Sequence, residues 1–175
     1  MIFTLVADGA SDAVLMSVIR WCLRQQGVGR VLAQRADFTR IPRARGLEQR
    51  LKAALEFYPC DVLFVHRDAE AQPAELRRTE ISGALSGIAV RHVPVVPVRM
   101  TEAWLLADES AIRRAAGNPN GSQTLDLPEL RRLEEVPDPK RILHEALVRA
   151  CGLNARRRAQ LPVRQMVHLI PQPHR

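Results

Sequence analysis

The chain has 175 residues, 46% of them apolar, and a formal net charge of +7. That length supports one domain with a full core, and no apolar run approaches the ~18 residues a membrane span needs, so no membrane partner is expected. The opening apolar stretch has no basic region ahead of it and reads as a strand, not as a secretory signal.

In chain order, Ile2 to Ala7 is the first expected strand. Ser11 is placed to cap a helix from Asp12 to about Gln26, with Val14, Leu15, Val18, Ile19, Cys22 and Leu23 as its buried stripe and Gly27 as a left-handed stop. Arg30 to Ala36 reads as a second strand. Residues 43–58 carry Leu47, Leu51, Ala54, Leu55 and Tyr58 at helical spacing, and Pro59 ends that helix. Asp61 to His66 is the third strand. Pro73 opens a helix to about Leu85, Gly87 breaks it, and Ile88 to Val98 gives the fourth strand. Pro94 and Pro97 cannot donate to a ladder, which assigns that strand to an edge.

Glu102 begins a short helix, continued or kinked near Ser110, and residues 117–122 form the clearest loop. Asp138-Pro139 pairs an N-cap with proline at the first helical position and starts a helix to about residue 151. The closing residues, with Pro162, Pro171 and Pro173, are expected to be irregular or weakly helical. Strands alternating with amphipathic helices argue βαβ units. The expected fold is α/β, a mainly parallel four-stranded sheet in the order 2-1-3-4 flanked by helices. One domain is expected, with residues 1–108 as the core and 109–175 as a helical extension and basic tail.

Cys22, Cys60 and Cys151 are scattered, lack ligand spacing and read as thiols of a reducing cytosol. Only Lys52 and Lys140 are lysines, so the positive charge is almost all arginine, a skew that a GC-rich genome also produces. No acid follows Glu145, whereas Arg149, Arg156, Arg157, Arg158, Arg164 and Arg175 do. Two readings stand open: a phosphate-facing surface for nucleic acid, or ordinary solvated arginine.

Carboxylates gather where apolar runs give way to turns. Asp8 and Asp12 follow the first strand, Asp68 and Glu70 the third, and Glu102 the fourth. In a parallel sheet these positions share the carboxyl end, where crossovers diverge and leave a crevice. Oxygen donors there suit magnesium (Mg²⁺) or manganese (Mn²⁺), and two such ions can clamp a phosphodiester. Asp8, Asp68 and Glu102 are expected to converge within roughly 8–10 Å, a scale at which two ions can be shared. Each residue also has a plainer role: a turn at Asp8-Gly9, a helix-dipole contact for Asp12 or Glu102, a solvated loop for Glu70. His66 is a candidate base or ligand, but reads better as a hydrogen-bonded structural histidine. Arg67 is placed to pair with Asp68 or to hold a phosphate, and Lys140 lies at a helix start that favours anions.

Ala7-Asp-Gly-Ala-Ser-Asp12 resembles the E-G-x-x-D opening of the toprim domain, and Val65-His-Arg-Asp-Ala-Glu70 resembles its D-x-D strand end. Thr101-Glu-Ala-Trp-Leu-Leu-Ala-Asp108 and Pro139-Lys-Arg-Ile-Leu143 are similar to later motifs of bacterial toprim-like proteins, some near phage-defence genes and distantly similar to overcoming-lysogenization-defect nucleases. The resemblance spans residues 1 to about 145 and rests on short motifs. It implies a Rossmann-like fold and magnesium-dependent cleavage of nucleic acid, with Asp8 in the acid–base position, Asp68 and Glu70 on the metal, and Asp12 and Glu102 as secondary ligands. Arg67, Lys140, Arg156, Arg157 and Arg158 are the candidate phosphate contacts. Two departures matter: an aspartate stands for the first glutamate and Glu70 for the second aspartate, changes of one methylene each. A non-catalytic module that binds nucleic acid or a partner protein is the alternative.

Overall fold

Phe3, Leu5, Leu63 and Val65 are fully buried, and the strands that carry them are buried along almost their whole length. Strands covered on both faces belong at the centre of a parallel sheet. In the computed structural model, which describes residues 1–7, 9, 11–39, 46–69, 72–98, 100–153 and 161–170 (Ser11 by its backbone alone), β1 (Ile2–Val6) and β3 (Val62–His66) do pair at the centre. β2 (Leu32–Arg35) and β4 (Arg91–Val95), half exposed, are the edges. The order is β2-β1-β3-β4 and every pairing is parallel. The α/β, Rossmann-like expectation and its strand order hold.

Three helices accompany this sheet: α1 (Leu15–Gln25), α2 (Gly46–Phe57) and α3 (Ala74–Ala84). Leu51 and Ala54 of α2 and Ile81 of α3 pack with Val6, Leu63 and Val65 on one face. The alternate positions Phe3, Leu5 and Phe64 turn to the other face, where the Phe3 and Phe64 rings meet edge to face at 5.4 Å. Thr4 is a buried polar residue of β1, and it is satisfied. Its hydroxyl donates to Tyr58 O at 2.8 Å and accepts from Gln34 Nε2 at 2.8 Å, and the same amide donates to Pro59 O.

The first helix begins differently from the capped start expected at Ser11. A 3-10 turn (Ser11–Val14) precedes α1, whose N-cap Val14 receives no side-chain bond. Asp12 turns its carboxylate back to the Gly9 N–H, so it organises the loop behind it. Gly27 does stop the helix with φ at +79°. On β4, Arg67 N–H donates to Val95 O, so Val95 faces β3 and the alternate Pro94 turns its missing donor outward.

The chain divides into two compact units, Met1–Val98 and Arg99–Arg175. The second is helical: α4 (Glu102–Leu105), α5 (Glu109–Ala115), a 3-10 turn (Leu130–Glu135), α6 (Pro139–Ala150) and α7 (Val163–Val167). α6 is its axis. Leu143, Ala146, Leu147 and Ala150 are fully buried, and α4, α5 and α7 pack against it. Asp138 caps α6 by accepting from Arg141 N at 3.0 Å, and Asn118 Nδ2 donates to Ala150 O at the other end.

Candidate functional site

β1 and β3 are parallel neighbours in register, Val6 beside Val65, so the segments that follow them leave from the same end of the sheet. His66 closes β3 and is 2% exposed. Its Nδ1 lies 3.1 Å from Val95 O. A carbonyl only accepts, so Nδ1 carries a proton and the other nitrogen is left to face the acids. Nε2 stands 3.7 Å from Asp12 Oδ1 and 3.7 Å from Asp68 Oδ1. A ring protonated at both nitrogens is a cation between two anions, whereas a neutral ring turns its lone pair toward both.

The loop after β1 is held from two directions. Gly9 N–H donates to Asp12 Oδ2 at 2.8 Å, and Gly9 O accepts from Arg35 Nη2 at 2.8 Å. Arg35 is the last residue of β2, so the edge strand fixes the acidic loop of its neighbour. Asp12, 13% exposed, thus uses one carboxylate oxygen to shape its loop and turns the other to His66.

The loop after β3 is tied to α3. Ala69 is fully buried, while the side chain of Asp68 is half exposed. Arg77 Nε donates to Asp68 O at 3.2 Å, and its Nη1 donates to Glu80 Oε2 at 2.9 Å. Arg67 Nη1 donates to the second oxygen, Glu80 Oε1, at 3.1 Å. One carboxylate therefore bridges two guanidinium groups beside the aspartate loop.

Of the residues singled out in the sequence, Asp12, His66 and Asp68 come together. Asp8, Glu70, Arg156, Arg157 and Arg158 lie outside the described residues. Glu102 opens α4 and Lys140 is an exposed residue in the first turn of α6, both in the second unit. Arg35, Arg77 and Glu80 were not foreseen. Arg35 alone had a usable signal, its place at the carboxyl end of a strand.

Among the described residues, no three His, Cys, Asp or Glu side chains are grouped so as to hold a metal ion. Asp12 Oδ1 and Asp68 Oδ1 are hard oxygen donors, the type magnesium accepts while keeping most of its waters. Set against protein-family models, curated proteins and solved structures, the chain finds no match in any of the three.

Proposed function

We propose that this is a toprim-like protein that cleaves phosphodiesters of nucleic acid with a bound divalent cation, magnesium or manganese. The observation that carries the reading is the shared approach of Asp12 and Asp68, from loops after two adjacent parallel strands, to one imidazole nitrogen at 3.7 Å. A crevice at the carboxyl ends of β1 and β3 is where such a fold binds its ligands. Magnesium, when bound, offsets the negative charge that builds on the phosphate. Asp68 and Asp12, with Glu70 by motif, are the residues that would hold it, and Asp8 by motif moves the proton. A role in phage defence follows from the resemblance alone.

The test uses Mn²⁺ as probe. Added Mn²⁺ raises the melting temperature of the wild-type protein, because a ligand that binds only the folded state stabilises it. Asp68→Asn abolishes that rise and any cleavage, and Asp8→Asn abolishes cleavage while keeping the rise. An equal Mn²⁺ shift in wild type and Asp68→Asn would put the ion elsewhere.

One observation favours a second reading, a non-catalytic binding module with a vestigial or structural metal site. His66 already faces both aspartates, and a protonated ring supplies the positive charge that an ion would otherwise bring. Under that reading nucleic acid or a partner protein binds, Mn²⁺ leaves the melting temperature unchanged, and no variant alters a cleavage rate.

A further inference from the structure

We propose that Arg67 and Arg77 form a seat for a backbone phosphate of nucleic acid, and that Glu80 occupies this seat until the phosphate arrives. The two oxygens of Glu80 are divided between two guanidinium groups, Oε1 to Arg67 at 3.1 Å and Oε2 to Arg77 at 2.9 Å. Two guanidinium groups converging on two oxygens of one anion is the arrangement that binds phosphate, because planar forks match its oxygens. The arginine side chains are only 21% and 20% exposed, whereas Glu80 is 38% exposed. The carboxylate is the outermost member, so it can swing away without disturbing the core.

Its hold is weak. Arg77 and Glu80 are an i,i+3 pair on α3, and partly exposed pairs of this kind contribute little. The arginines themselves are placed more firmly. Arg67 follows the last residue of β3, and Arg77 is tied to the backbone through Asp68 O at 3.2 Å. That bond sets the seat beside the aspartate loop, where a phosphate neighbouring the reacting one would lie. The inference rests on the phosphodiester reading only for the identity of the anion.

The experiment is fluorescence anisotropy of a labelled thymidylate oligonucleotide with the full chain, at low salt and with EDTA present. Glu80→Gln is expected to tighten binding about three- to fivefold, the scale of a surface ion pair. Glu75→Gln is the control: it removes the same charge from the same helix, at a residue that pairs with Arg78. It should give less than half of that gain. Adding Arg77→Ala to Glu80→Gln should remove the gain, and Arg77→Lys serves the same purpose if the alanine variant does not fold. Equal effects of the two glutamine variants, a gain that survives loss of Arg77, or no binding by any variant would each overturn the proposal. EDTA separates its failure from that of the metal-dependent reading, which the Mn²⁺ and cleavage measurements decide on their own.

Discussion

His66 and Thr4 are both buried polar residues on central strands, and they are treated in opposite ways. Thr4 is closed off: its hydroxyl gives one hydrogen bond and receives another, both inside the protein. His66 is satisfied on one side by Val95 O and opens on the other toward two aspartates. Buried polar groups of the first kind fix a fold, and those of the second kind are found where charge is handled. Cys151 shows how burial alone acts on a single group. Its Sγ donates to Ala116 O at 3.3 Å, and burial pushes its thiol above the ordinary 9.0. The folded state thus holds this proton more tightly than the unfolded chain does. The resulting contribution to stability is present in full below the ordinary thiol value and is lost as pH rises through the raised one. Iodoacetamide at pH near 8 is expected to label the exposed Cys22 well before Cys151, as read by peptide mass spectrometry. Equal rates at the two sites would contradict the partial burial of Cys151.

Helix starts illustrate what a short stretch of sequence decides. Asp138 accepts from Arg141 N and Asp108 accepts from Ala111 N, each meeting a donor that a helix start leaves orphaned. Asp138→Ala is expected to lower the free energy of urea unfolding by about 1 kcal/mol, and Asp138→Asn by much less. No change on Asp138→Ala would mean that packing alone holds α6. The cap at Asp138 was legible because proline follows it directly. β1 and β3 were legible because burial on both faces makes them near-continuous apolar runs, and the proline pair identified the fourth strand as an edge. The 3-10 turn at Leu130–Glu135 was not, since four of its six residues are charged and no helical stripe runs through them. In the site, Asp12 and Asp68 could be read from their places after strands. Arg77 and Glu80 could not, because on the sequence they are ordinary charges of a polar helix. Their partnership with Arg67 arises only when α3 folds back along β3.

The two ends of the sheet differ. The amino end is laced: Met1 N donates to Arg30 O, Ile2 N–H to Asp61 Oδ2, and Gln34 joins Thr4 to Pro59. The carboxyl end carries the acidic loops and their arginines. The two edges differ as well. On β2, Leu32 and Ala36 donate to Met1 O and Leu5 O, so the amides of Ala33 and Arg35 turn away from β1. On β4 the outward positions are His92 and Pro94, and of the two Pro94 has no donor to offer a neighbouring strand. Among the described residues, the outward amides of β2 therefore form an unbroken row, and that of β4 is interrupted at Pro94. A broken row of donors makes a poorer template for a neighbouring strand than an unbroken one. Pro94→Val supplies the missing donor and completes that row. On heating, its light scattering is expected to rise earlier than that of the wild type. Matching curves would mean that the proline does not guard that flank. A single ring closed on its own backbone nitrogen thus takes one rung out of the ladder that a neighbouring copy would climb.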